Sequence, residues 1–196
     1  MKHLEFQYLK LEISVKAKKG IDFILAASIV WFAIGLIWLI SDVSSYNKSV
    51  FTFIIGSILL PMAFGFSKIL KTQWKVVNNP LQPLGLWLNF AQLFYFPFLV
   101  FVLLIIPDFF IMTYAIITGA HLFPYAWFYD DNSYAVMAGI ISASSLIMGL
   151  NLSAEFMFWL PFFTSIALLI MAINLWLSIP RTRKKWKNIS ANSANI

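Results

Sequence analysis

Residues 84–106 read LGLWLNFAQLFYFPFLVFVLLII, a run without a single charged side chain. The absence of positive charge extends in both directions, because no Lys or Arg occurs from Val76 to Pro180. A helix needs roughly 20 apolar residues to cross a hydrocarbon layer of ~30 Å, and a charge inside that layer costs several kcal/mol. This stretch of 105 residues therefore has room for four helical crossings joined by short turns.

The composition of the whole chain agrees with this interpretation. Of the 196 residues, 61% are hydrophobic and only 11% are charged, the mean hydropathy is +0.81 and there is no cysteine. A soluble domain is about 45–50% apolar and about 25% charged. These values exclude a soluble enzyme, a disordered tail and a disulfide-stapled secreted module.

Clusters of Ser, Asp, Asn and Pro interrupt the apolar runs and divide the chain into segments long enough to span a membrane. We predict an all-α, polytopic transmembrane bundle with a lead-in helix over residues 1–20, a six-helix domain over 21–178 and a basic tail over 179–196. The predicted spans are Ile21–Ile40, Val50–Leu70, Leu84–Ile106, Phe109–Phe128, Tyr134–Leu150 and Glu155–Ser178. Pro61, Pro97 and Pro124 fall inside three of these spans, where each removes a backbone N–H and favours a kink.

The positive residues fix the expected orientation, since cytoplasmic loops retain Lys and Arg. Of the 14 basic residues, 13 lie in the amino-terminal segment, the second connection and the tail, and only Lys48 lies on the other side. The distribution predicts six crossings with both termini in the cytoplasm, and we expect a bacterial inner membrane.

A fusion experiment checks this orientation. Alkaline phosphatase, which is active only in the periplasm, should be active when fused at Lys48 and silent when fused at Lys75. The reverse pattern would contradict the topology.

The two basic ends are predicted to contact the membrane surface, because each cation near an anionic leaflet contributes about 1 kcal/mol. The residues assigned to anionic lipid are Lys16, Lys18, Lys19, Arg181, Arg183, Lys184, Lys185 and Lys187. Within the lead-in, Leu4, Tyr8, Leu11 and Val15 recur at helical spacing, although residues 9–16 also alternate as a strand would. We favour the helix, because a lone strand would leave its backbone unpaired. It would serve either as an anchor on the leaflet or as a solvated lead-in.

Polar residues within the spans mark the candidate site. Four of them recur along one helix face of the fourth span, and others lie at matching depth in the third and fifth spans. The candidate ligand-binding residues are His121, Gln92, Asn89, Tyr114, Thr118, Tyr125, Ser142 and Ser145. The cluster would open toward the cytoplasmic half of the bundle. The alternative is structural, since such side chains also form hydrogen bonds between neighbouring helices.

Two further features concern packing. Trp31 lies too far from either interface to serve as a headgroup anchor and should sit inside the bundle or against lipid. Ala135, Gly139 and Ala143 form a ladder of small residues that would let another helix approach closely, either across a dimer or, as the default, within the same chain.

Several kinds of chemistry are not expected. No nucleophile with a base, metal-ligand set, phosphate-binding loop or dinucleotide fingerprint is present, so we expect no catalysis, no metal and no cofactor. The pI of about 9.6 is explained by the inside-positive bias, so we expect no nucleic-acid partner.

The block GAHLFPYAWFY at positions 119–129, together with the Lys-Lys-Gly-Ile entry at 18–21, resembles a family of small, uncharacterised bacterial multi-pass membrane proteins. The similarity runs along most of the chain. It implies a six-helix inner-membrane fold and no particular activity.

Two functional hypotheses follow from these features. In the first, spans three to five enclose a polar pocket around His121 that binds a small or lipidic ligand or passes it across the membrane. In the second, the protein is a non-catalytic membrane scaffold that associates with itself as a homo-oligomer or with a partner. A cavity touching His121, Gln92 and Tyr125 would favour the first, and tight packing of those side chains would favour the second.

Overall fold

The structure is a computed structural model that describes residues 2–194, and these residues form helices and turns without any strand. The α-helices are α1 (Lys2–Lys16), α2 (Ile21–Ile40), α3 (Ser45–Gly56), α4 (Leu59–Leu70), α5 (Gln82–Leu93), α6 (Phe96–Ile105), α7 (Phe110–Phe128), α8 (Ser133–Asn151) and α9 (Trp159–Ala194). Short 3₁₀ turns precede α2, α7 and α9. Residues 1 and 195–196, at the ends of the predicted lead-in and tail, lie outside the described range.

Six helical segments of the described chain are long and apolar enough to cross a membrane, which confirms the predicted fold class. Their bounds are Lys18–Ile40, Ser45–Leu70, Gln82–Ile105, Pro107–Phe128, Ser133–Asn151 and Ala154–Ala191. The second of these segments consists of α3 and α4, and the third consists of α5 and α6. The protein is therefore a helical bundle with the spans of a multi-pass membrane protein.

Proline explains why the second and third spans are each split into two helices. A proline ring clashes with the carbonyl four residues earlier and lacks the N–H that would bond to it. For Pro97 that carbonyl belongs to Leu93, the last residue of α5, and for Pro61 it belongs to Ser57, in the break between α3 and α4. Pro124, by contrast, lies inside an unbroken α7.

The core lies between α2, α7, α8 and α9. The buried side chains Ile34, Ile111, Ile141 and Leu168, one from each of these helices, belong to one hydrophobic cluster. The second and third spans are the least buried of the six. They flank the core, and the apolar surface that they leave exposed suits contact with lipid.

The closest helix pair is α7 and α8, and its packing depends on a glycine. A Cβ atom at Gly119 would lie 2.6 Å from the Ser142 Oγ and 3.0 Å from the Ser142 backbone nitrogen. The small-residue ladder that includes Gly139 does not mediate such a contact, because a Cβ there would meet nothing within 4 Å. The expectation that this ladder packs within the chain is wrong. The face of α8 that approaches α7 is set by the apolar residues around Ile141 instead.

The lead-in is helical, as predicted, but it docks on the bundle instead of lying apart from it. Leu11 and Val15 of its predicted stripe are buried, as are Ile13 and Ser14. The Ser14 hydroxyl donates to the Tyr129 carbonyl oxygen at 2.7 Å, which joins α1 to the turn between α7 and α8. The helix thereby covers one end of the bundle.

The last helix does not stop at the predicted edge of the membrane. α9 continues through Pro180 as far as Ala194, so the basic tail is an extension of the sixth span. The ring of Trp186 in this extension lies 6.0 Å from the ring of Tyr8 in α1. Both ends of the described chain therefore lie at the same end of the bundle, which we call the basic end.

Candidate functional site

A cavity of about 120 Å³ lies beside the core, between α2, α4, α5 and α7. It extends from Gly20 and Tyr129 at the basic end to Trp31 and Tyr114 deeper in the bundle. His121 lines its middle, eight residues along the chain from Tyr129, which corresponds to ~12 Å of helix rise.

Six of the eight predicted site residues line this cavity. They are Asn89, Gln92, Tyr114, Thr118, His121 and Tyr125. The recurring spacing on α7 places four of them on one face, and α5 supplies the other two from the neighbouring span. His121, Gln92 and Tyr125 therefore line one cavity. A shared cavity is the arrangement expected of a ligand pocket, whereas tight packing of these side chains would favour the scaffold hypothesis.

Ser142 and Ser145 do not line the cavity. Ser142 faces Gly119 across the contact between α7 and α8, where its hydroxyl donates to the Ile116 carbonyl oxygen at 3.3 Å. Ser145 is fully buried. Counting residues from the helix end places a side chain along the helix axis, but it does not give the direction in which the side chain points.

The cavity presents polar groups that no other part of the chain satisfies. The Tyr125 hydroxyl is buried and has no hydrogen-bond partner among the described residues. Within residues 2–194, the His121 ring contacts the Tyr125 ring at a centroid distance of 5.3 Å and makes no hydrogen bond. The side chains of Gln92 and Thr118, which like His121 are half-buried, also make no hydrogen bond within this range. A buried group left unpaired costs roughly 1–3 kcal/mol, so the position of the Tyr125 hydroxyl is unfavourable without a ligand or water.

Aromatic rings form much of the wall. Trp31 is buried and packs against Tyr114 with ring centroids 5.1 Å apart, which explains its position far from either interface. Tyr125, Tyr129 and Tyr134 form a cluster at the basic end, with centroids 5.6–5.9 Å apart. Sequence reasoning missed Tyr129 and Tyr134. Tyr129 continues the spacing of the polar face by one more turn, so the pattern contained the signal.

No Lys, Arg, Asp or Glu lines the cavity within the described chain. The nearest ion pair to its floor is formed by Lys19 and Asp131, whose Nζ and Oδ2 atoms are 2.7 Å apart. The Ser178 hydroxyl contacts both, at 2.8 Å from the Lys19 Nζ and 2.9 Å from the Asp131 Oδ2. The Tyr134 hydroxyl donates to the Lys19 carbonyl oxygen. This polar cluster joins the start of α2, the turn before α8 and the sixth span.

Burial alone would raise the pKa of the Asp131 carboxyl, but hydrogen bonds from Lys19 and Ser133 and the charge of Lys19 outweigh that effect. The pKa of Asp131 is therefore held below its usual range. The carboxylate remains ionised wherever the protein is folded near neutral pH.

The location of Lys19 corrects one prediction. Its side chain is only 2% exposed and is paired with Asp131, so its ammonium group cannot contact lipid head groups. Lys18 donates to the Leu70 carbonyl oxygen at 2.6 Å, and Lys16 pairs with Glu12 at the same distance. Contact between anionic lipid and the remaining basic residues stays a prediction.

The three residues of the Lys-Lys-Gly entry share an unusual backbone conformation. Lys18, Lys19 and Gly20 all have positive φ, at 45°, 56° and 68°, a conformation that costs an L-residue ~1–2 kcal/mol. Gly20 also lies against Tyr129, whose hydroxyl would be 3.1 Å from an added Cβ. This left-handed turn connects α1 to α2, and the Lys19 side chain that it carries pairs with Asp131.

Among the described side chains, no three His, Asp or Glu residues lie close enough together to hold a metal ion. Neither a curated protein nor a solved structure matches the chain. The cavity wall, its tyrosine floor and the Lys19–Asp131 cluster with Ser178 all fall within residues 6–178. That stretch matches the model of a family of unknown function, DUF7010, and the chain belongs to this family.

Proposed function

We propose that the protein binds a small, uncharged ligand in the cavity around His121. The observation that carries this proposal is the set of unpaired polar groups on the cavity wall, chiefly the Tyr125 hydroxyl. If these residues served only to join helices, they would bond across the helix contacts. Of the predicted site residues, Ser142 makes such an interhelical bond, and it lies outside the cavity.

The side chains that line the cavity restrict the class of ligand that can bind there. A charged ligand would lose its hydration without gaining a counter-ion, which is strongly unfavourable in a low-dielectric site. Hydroxyl, imidazole and amide groups instead suit a neutral molecule with hydrogen-bonding oxygens. The proposed role is binding without catalysis. The proposed location is a bacterial inner membrane. The distribution of Lys and Arg supports an orientation in which the basic end lies in the cytoplasm.

Two tyrosine variants test this role by a matched comparison. Tyr125→Phe removes a hydroxyl that has no partner, so the protein washed free of ligand should be as stable as wild type or more stable. The same variant should retain about fivefold less of the copurifying ligand, because one hydrogen bond contributes about 1 kcal/mol. Tyr134→Phe removes a hydroxyl that bonds to the Lys19 carbonyl and should lower stability by about 1 kcal/mol.

The measurements are thermal unfolding and mass spectrometry of molecules that copurify with gently extracted protein. His121→Ala should also reduce the retained ligand while leaving assembly intact. If Tyr125→Phe lowers stability and leaves the copurifying molecules unchanged, the hydroxyl joins helices and the scaffold hypothesis is favoured.

A further inference from the structure

The shape and surroundings of the cavity indicate both the class of its ligand and the direction of entry. Building on the binding role above, we propose that the ligand is a membrane-dissolved molecule of the quinone class, an uncharged ring with carbonyl oxygens on an apolar tail. We propose that it enters from the lipid between α4 and α5.

The wall suits a single flat ring. Phe23, Trp31, Tyr114 and the three clustered tyrosines contribute aromatic rings to the cavity. Its volume of about 120 Å³ is similar to the roughly 150 Å³ that admits a benzene molecule in a packed protein core. Aromatic pairs gain interaction energy beyond that of the area they bury, so a ring is favoured over a flexible chain of similar size.

The polar groups suit carbonyl oxygens on that ring. Tyr125 and Thr118 have hydroxyls to donate, and His121 in its neutral form has one N–H. No part of the described chain accepts from these three groups. A carbonyl acceptor satisfies such donors without bringing a charge into the cavity.

The basic end of the cavity is closed. Its floor consists of Gly20, Tyr129 and Tyr134, and the buried Lys19–Asp131 pair lies alongside. Beyond the floor, α1 packs against the same end and bonds to the Tyr129 carbonyl through Ser14. A ligand arriving from the aqueous side would have to displace this polar cluster.

The side of the cavity is open instead. α4 packs against α2, whereas α5 packs against α7, so the cavity separates two helix pairs. Asn89 of α5 both lines the cavity and is exposed, and none of the α5 residues is buried. Asn89 lies seven residues into α5, which is ~10 Å from the basic end, so the opening faces hydrocarbon and not water.

The ligand class is tested by thermal unfolding of the reconstituted protein with two probes of nearly equal tail length. Decylubiquinone has an uncharged ring, and decanoate has a carboxylate in its place. We expect decylubiquinone to raise the Tm by about 5 °C at a hundredfold excess over Kd, with a further rise in proportion to the logarithm of its concentration, and decanoate to leave the Tm unchanged. Tyr125→Phe and Thr118→Val should each weaken the binding of decylubiquinone about fivefold.

The entry route is tested by the rate at which decylubiquinone quenches tryptophan fluorescence, with Trp31→Phe as the background. Asn89→Phe adds bulk at the opening and should slow quenching at least tenfold. Ala91→Phe adds similar bulk at an exposed position on the other side of α5 and should leave the rate unchanged. Equal rates in both variants would overturn lateral entry.

The results separate this inference from the proposed function. Equal stabilisation by decanoate would show that the tail alone is recognised and would overturn the quinone class. If decylubiquinone has no effect while a copurifying molecule of another class is lost in Tyr125→Phe, the binding role stands and the quinone class fails. If no probe binds and nothing copurifies, both proposals fail.

Discussion

Asp131→Asn is expected to lower the free energy of unfolding by about 3–5 kcal/mol, because it leaves the buried Lys19 ammonium group without its counter-ion. The loss exceeds that of an ordinary salt bridge, since the side chains of this pair are only 2% and 9% exposed. Chemical denaturation in a mixed-micelle system measures it. The pair also holds the left-handed turn, so the cavity floor should loosen in the same variant.

The adjacent residue provides a matched control. Asp130 pairs with Lys10 at 3.8 Å and its side chain is 48% exposed, so Asp130→Asn should cost less than about 1 kcal/mol. The double variant Lys19→Met/Asp131→Asn should be more stable than the sum of the single losses predicts, because no unpaired charge remains. Equal losses at Asp130 and Asp131 would contradict the importance of the buried pair.

The Lys19–Asp131 pair also makes the free energy of unfolding depend on pH, and the direction of that dependence follows from the lowered pKa of Asp131. Since the pKa of Asp131 is lower in the folded protein than in the unfolded chain, its contribution is fully present above the unfolded value of about 3.9. That contribution is lost as the pH falls through the folded value. Wild type should therefore lose more stability than Asp131→Asn when the pH is lowered below about 4.

Gly119→Leu is expected to cost about 3 kcal/mol or more, because the new side chain must force α7 away from α8. The first atom of that side chain would already lie 3.0 Å from the Ser142 backbone nitrogen, which cannot rotate aside. The displacement would also move the face of α7 that carries His121 and Thr118. Ligand retention should fall together with the Tm.

Gly139→Leu is the control for the loss of a helical glycine. It makes the same chemical change in the neighbouring helix, but a Cβ there meets nothing within 4 Å. This variant should therefore be as stable as wild type or slightly more stable, since leucine has the higher helix propensity. If both variants unfold at the same temperature, close packing at Gly119 is not what holds the two helices together.

The sequence was most informative where one physical rule acts along a whole segment. Hydrocarbon excludes charge, and the long stretch without Lys or Arg therefore predicted the last four of the six spans. The helical spacing on α7 likewise placed Tyr114, Thr118, His121 and Tyr125 on one face, and the cavity lies along that face.

Features that depend on how one helix is rotated against another could not be predicted in this way. Ser142 points toward Gly119 instead of the cavity, and Gly139 faces outward instead of a neighbouring helix. Lys19 appeared to be one more surface cation, because its partner Asp131 is 112 residues away in the sequence. Nothing local indicates that such distant residues will meet, since tertiary packing alone brings them together.

That separation has a consequence for biogenesis. A ribosome adds roughly 5–20 residues per second, so Asp131 is synthesised on the order of ten seconds after Lys19. Ser178, the third member of the cluster, is synthesised later still. During that interval the Lys19 ammonium group lacks the counter-ion that it has in the folded protein. The floor of the cavity can therefore close only late in synthesis, and a nascent chain released before the fifth span has an open cavity and an unpaired lysine.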